Sequence, residues 1–237
     1  MSNAPRHDAA PVRRRAGPAM AVLLAGASGP GLRLALSLAL SLALSLALSL
    51  ALLPAVAHAQ AVDLAGVRFE PQVQLGGQTL VLNGAGIRYK AFFKVYAAGL
   101  YLGAKAGTPE AVLAAPGAKR IHVVLLRSID ANEFGKILSA GIQNNSSREE
   151  FLASLPAIQR MGEAASQHKL LVAGDTMTVE WLPGTGTTLY VKGKAEVGPY
   201  KDAAFFNAMA KIWLGKSPAD HLLKDALLGI AAKRVEN

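Results

Sequence analysis

Twenty consecutive residues from Leu34 to Leu53 form an apolar run built almost entirely from tandem Leu-Ala-Leu-Ser repeats. A basic segment with Arg6, Arg13, Arg14, Arg15 and Arg33 precedes it, and Pro54-Ala55-Val56-Ala57-His58-Ala59-Gln60 follows it. Basic, apolar and small-residue zones in that order describe a secretory signal peptide, with Ala57 and Ala59 suited to a peptidase groove and cleavage expected after Ala59. The run is also long enough to span a bilayer, so the rival expectation is an uncleaved inner-membrane anchor formed by residues 34–53. On either reading residues 1–59 stand outside the fold, and the globular part is residues 60–237.

Setting the leader aside alters the charge balance. The whole chain carries a formal +9, but five of its 25 Lys and Arg and one of its 16 Asp and Glu lie before Gln60, which leaves +5 for the remainder. The basic residues there are spread without a dense stripe, so nucleic-acid binding is not indicated. The chain has no cysteine, which excludes disulfides, a thiolate nucleophile and Cys-ligated metal. What remains suits one domain with its own core, and no repeat or low-complexity linker divides it.

The first half reads as strands. Val67-Arg68-Phe69 and Thr79-Leu80-Val81-Leu82 are short β-prone runs, separated by Gly76-Gly77. Ile87 to Leu102 follows as one long strand, with Phe93, Val95, Ala97, Gly99 and Tyr101 on one face and Phe92, Lys94, Tyr96, Ala98 and Leu100 on the other. Arg120 to Arg127 is apolar on both faces, as a central covered strand would be. Asp130 with Glu133, and Ser147 with Glu150, each mark a capped helix start. Phe134, Ile137, Leu138 and Ile142 line the first helix, and Pro156 should break or kink the second. Thr176–Leu182 and Thr187–Lys192 flank the turn Pro183-Gly184-Thr185-Gly186. Two helices close the chain. One carries Phe205, Met209, Ile212 and Trp213 and stops at Gly215, and the other starts at Ser217-Pro218 and presents Leu222, Leu223, Ala226 and Leu227. This order predicts an α+β domain: an antiparallel sheet with helices on one face.

Familiar chemistry is sparse. Gly84-Ala85-Gly86 lacks the third glycine of a dinucleotide loop, because Tyr89 stands in its place, and a strand follows. His122, His168 and His221 lie far apart with no metal-ligand spacing, so neither metal nor cofactor is expected. No Gly-x-Ser-x-Gly elbow supports a serine hydrolase.

One constellation is more specific. Gly84-Ala85-Gly86-Ile87-Arg88, leading into a long strand that ends Gly99-Leu100-Tyr101-Leu102, resembles the Gly-Ala-Gly-Val-Arg turn and following strand of the chalcone isomerase family. The block from Phe205-Phe206 to Gly215-Lys216-Ser217-Pro218 resembles that family's late helix and its junction. The likeness extends from about Val62 to Ala231. It implies an open-faced sandwich, a large antiparallel sheet backed by helices, with a cleft between them. In the family's plant enzymes an arginine in that cleft holds an anionic oxygen, beside threonine, tyrosine, lysine and asparagine side chains. Carried onto this sequence, the arginine is Arg88, the strand threonine becomes Tyr96, and the helix lysine is Lys136. The tyrosine and asparagine positions fall near Glu133 and Ala140, and the late hydroxyl near Phe206.

Arg88, Tyr96 and Lys136 are thus the catalytic candidates, and Arg88, Tyr96, Phe93, Glu133 and Phe206 the ligand-binding ones. Because most of the polar set is replaced, the expected function is binding of an amphipathic anion, a fatty acid or aromatic acid, by the Arg88 guanidinium in an apolar cleft. Phe92, Phe93, Tyr101, Phe134, Phe205 and Trp213 would line the cleft or the core. The alternatives are an intramolecular lyase that closes a phenolate onto an enone, and a non-catalytic accessory protein of the envelope. A bland alternative for Arg88 is pairing with a structural carboxylate such as Glu133. The location expected from the leader is the periplasm, with the membrane touched only through an uncleaved leader.

Overall fold

The computed structural model describes residues 60–230, together with Leu38, Ala39 and Ser41. The leader reading therefore lies almost wholly outside the described residues. The elements of the fold belong to the unit His58–Asn237.

Within residues 60–230, eleven strands and five helices follow in order: β1 Val62–Leu64, β2 Val67–Phe69, β3 Gln72–Leu75, β4 Gln78–Lys90, β5 Phe93–Leu102, α1 Pro109–Ala114, β6 Lys119–Leu125, β7 Ile129–Asp130, α2 Ala131–Asn145, α3 Arg148–Ser166, β8 Leu170–Leu171, β9 Thr176–Leu182, β10 Gly186–Val191, β11 Lys194–Tyr200, α4 Ala204–Leu214 and α5 His221–Leu227. Seven strands make one antiparallel sheet in the order β11-β10-β9-β6-β5-β4-β3. The expected α+β architecture, a large antiparallel sheet backed by helices, is therefore present. Strand β6 is its middle member, as the apolar reading of residues 120–127 required.

Both faces of the sheet are covered, unequally. Ile121, Val123 and Leu125 of β6 join Tyr96, Ala98 and Leu100 of β5 and Phe134, Leu138, Met209 and Trp213 of the helices in the main core. On the opposite face Ala97 and Tyr101 pack with Phe69, Leu80 and Leu82 in a smaller core closed by the β1–β2 hairpin. Gly99 makes room there, because a Cβ would stand 2.6 Å from a ring carbon of Phe69.

Two of the three expected helix caps form, at Asp130 and at Ser147. The Asp130 carboxylate accepts the Glu133 backbone N–H at 2.9 Å, and Ser147 and Glu150 satisfy each other's backbone N–H in a full capping box. Four expectations need correction. The Gly84-Ala85-Gly86 segment lies inside strand β4 rather than in a turn. Ile87–Leu102 is not one strand but the top of a hairpin, reversed at Ala91, which adopts φ 54°. Helix α3 runs through Pro156, which is exposed with Leu152, so the carbonyl its ring deprives of a donor faces water. Helix α5 starts three residues after Pro218, because Asp220 caps it by accepting the N–H groups of Leu222 and Leu223. Strand β11 also adds a third member to the hairpin β9–β10.

Candidate functional site

Arg88 occupies the last turn of the pleat before the β4–β5 reversal, directly opposite Tyr96 in the ladder. Its side chain is half-buried on the helix-bearing face. Gly84 and Gly86 precede it on that face and let α5 lie almost against the strand: a Cβ on Gly84 would collide with the Ala226 carbonyl, and one on Gly86 would stand 2.7 Å from the Ala226 Cβ. The Gly-x-Gly-x-Arg spacing therefore has a packing cause. Two missing side chains seat the helix, and the arginine emerges just beyond its start.

The Arg88 Nε donates weakly to the Ala219 carbonyl at 3.4 Å, and the guanidinium carbon lies 5.7 Å from the centre of the Tyr96 ring. Among the described residues no carboxylate forms an ion pair with it. The neighbouring acid Asp220 is occupied by three backbone N–H groups, those of Tyr89, Leu222 and Leu223. Glu133, the expected structural partner, forms no ion pair with Arg88 either, although both line one recess of about 240 Å³ with Val95, Arg127, Ile129 and Ile137. Lys90, Ser128 and Asp130 complete that lining.

Behind Arg88 the space is closed. Tyr96 is buried, and its hydroxyl accepts the indole N–H of Trp213 at 2.8 Å. Burial pushes the Tyr96 phenol up to about 12, against the opposing pull of the Arg88 charge and the Trp213 hydrogen bond, so the group stays protonated at neutral pH. The recess is thus a cationic hollow with a short apolar wall, and the protein's own Tyr96 and Trp213 occupy the ground behind it.

The candidates separate accordingly. Arg88, Tyr96 and Glu133 are brought together around or beside the recess. Phe93 is not in it: the ring is half-exposed on the hairpin, beneath the Arg127 guanidinium at 5.1 Å. Lys136 is exposed and lines a different hollow, between α2 and α3, with Asn132, Ser139 and Gln143. Phe206 is fully buried at the far end of the sheet, where the Lys119 ammonium lies 5.6 Å from its ring centre. Of the aromatic residues, Phe134, Phe205 and Trp213 are main core, Tyr101 belongs to the smaller core, and Phe92 is exposed. The residue that sequence reasoning missed is Arg127. It follows β6 at the end where Leu125 pairs with Tyr96, so the ladder register carried the signal, but only once the strand order was known. Among the described residues no group of His, Cys, Asp and Glu is arranged to hold a metal ion.

A sheet of this order backed by helices, with an arginine at its edge, defines a fold class that comparison makes specific. Residues 61–229 match the chalcone isomerase-like family model, and the chain belongs to that family. Among solved structures, a fatty-acid binding protein of Arabidopsis thaliana superposes with a TM-score of 0.55 at 15% sequence identity, over 71% of this chain and 96% of that one. No curated protein sequence matches.

Proposed function

We propose that the protein is an exported, non-catalytic member of its family that binds an amphipathic anion at Arg88. One observation carries this reading: a half-buried guanidinium, without a carboxylate partner among the described residues, opens onto a recess able to admit a small molecule. An unpaired charge taken partly out of water is costly, and a ligand carboxylate or phenolate would offset that cost with two charge-assisted hydrogen bonds in fork geometry. Arg127 adds positive potential at the same wall, while Val95, Ile129 and Ile137 offer an apolar surface to a tail or ring. The fatty-acid-binding activity of the Arabidopsis protein of like fold is in keeping with such a ligand. Cyclisation of the chalcone isomerase type is the weaker reading, because Lys136 faces another hollow and the Tyr96 hydroxyl already serves Trp213.

The test is thermal unfolding of the protein with decanoate or a cinnamate, against decanol as the uncharged control. A carboxylate at a hundredfold excess over its dissociation constant should add about 2.7 kcal/mol, whereas decanol should add little. Arg88→Ala should fold with an unchanged circular dichroism spectrum and lose this gain. Arg88→Lys should retain only part of it, since an ammonium lacks the planar fork. No carboxylate-dependent shift in the wild type, or an equal shift in Arg88→Ala, would overturn the proposal. Fractionating cells and sequencing the N-terminus of the accumulated protein tests export: an N-terminus at Gln60 in the periplasmic fraction is expected.

A further inference from the structure

From the β4–β5 hairpin tip we infer a second interaction surface, one that docks on an anionic lipid bilayer. The tip stands clear of the sheet. Strand β3 pairs with β4 no further than Val81, and β6 pairs with β5 only from Tyr96 onward, so Tyr89 to Lys94 are flanked by no other strand. All six residues of this stretch, Tyr-Lys-Ala-Phe-Phe-Lys, are exposed. Phe92 is 79% exposed and Phe93 50%, with their rings 4.2 Å apart. Two phenylalanines at the apex of a projecting reversal cost solubility and contribute nothing to either core.

Charge decides what covers them. The whole hairpin from Gln78 to Leu102 contains no acidic residue, while Lys90 and Lys94 flank the aromatic pair and Arg127 lies over Phe93. The nearest acids are set back: Asp220 is held by backbone N–H groups, and Asp130 and Glu133 lie in the recess wall. Aromatic rings at the apex with cations just behind them match the layering of a bilayer interface, where rings enter at headgroup depth and lysine and arginine meet anionic lipid. A convex point of this kind suits insertion better than it suits a flat protein surface. Lys90 and Arg127 line both the tip and the Arg88 recess, so docking would bring the recess mouth to the lipid surface. Docking of this kind needs only the folded domain and is independent of whether a ligand binds Arg88.

Because the chain has no cysteine, one introduced thiol reports a single place. An environment-sensitive fluorophore on Ala91→Cys, in the protein as the host processes it, reads the tip; the same label on Thr185→Cys, an exposed turn at the opposite end of the sheet, is the control. Vesicles of phosphatidylcholine with about 30% phosphatidylglycerol should shift the emission of the tip label to the blue and leave the control label unchanged, and pure phosphatidylcholine should shift neither. Adding Phe92→Ser and Phe93→Ser should abolish the shift, and Lys90→Glu with Lys94→Glu should weaken partitioning about tenfold or more. A tip-label spectrum indifferent to anionic vesicles would overturn the proposal, as would an equal shift of the control label. A shift that grows with protein concentration without lipid would overturn it too, by assigning the tip to a second copy of the chain.

Discussion

Tyr96 holds its place through two unlike contacts, a cation above its ring and an indole N–H on its oxygen. The second is the more demanding energetically, since Trp213 is 1% exposed and its N–H donates to the Tyr96 hydroxyl away from water. Tyr96→Phe keeps the ring and its contact with Arg88 but orphans that buried donor. The expected loss is about 1–3 kcal/mol in urea unfolding, with carboxylate binding at Arg88 preserved. An unchanged unfolding midpoint would show that the indole finds another partner. Arg88 and Tyr96 were each legible through the family likeness, but their pairing across a hairpin was not, because the sequence reads as one unbroken strand there. Phe93, Lys136 and Phe206 were not separable in that way. Whether a side chain one position along a strand or helix faces a recess, the solvent or the core depends on register and rotation against elements distant in sequence.

Helix α5 shows how much an element depends on residues outside it. It is a short helix, and its hold on β4 comes from Gly84 and Gly86 beneath it and from Asn83 beside it. The Asn83 amide donates to the carbonyls of Ala106 and Leu227, and its oxygen accepts the Ala106 N–H, so a buried side chain has its polar atoms satisfied while it joins three segments. Gly86→Val should lift the helix from the strand and destabilise the domain by about 1–3 kcal/mol, with amide exchange rising first in residues 221–228. Equal protection in wild type and variant would mean that the helix is held from elsewhere. Element beginnings with a local device, such as the Ser147–Glu150 box, were readable because their chemistry is complete within four residues. The β4–β5 reversal was not. Its turn is Ala91-Phe92, with none of the Gly, Asn or Pro that usually announces one, and Ala91 is held at positive φ by the pairing of Lys90 with Phe93.

The domain of residues 60–230 is a sheet with a large core on one face and a small one on the other, and its response to acid is written where the small core meets β6. His122 faces Phe69 edge-on and hydrogen-bonds Thr178, and burial, reinforced by the Arg120 charge, holds its pKa below the ordinary 6.5. Its unfolded form therefore binds the proton first. Its contribution is neutral above pH 6.5 and turns increasingly unfavourable as pH falls from there toward the depressed folded value. Urea midpoints should decline between about pH 7.5 and about pH 5, a span around that ordinary value, and His122→Gln should lessen the decline. A slope identical in the variant would assign the acid response to other groups. The alternation of strands, the helix caps at Asp130 and Ser147, the Gly-x-Gly-x-Arg motif and the family likeness were all determined by the sequence itself, because each rests on neighbours a few residues apart or on a preserved pattern. Only the tertiary structure decided that the ground behind Arg88 is taken by Tyr96 and Trp213, that Arg127 joins the recess, and that two phenylalanines stand in water. Those outcomes follow from how strands and helices far apart in the chain are stacked, and side-chain volume and register settle them only once the sheet has closed.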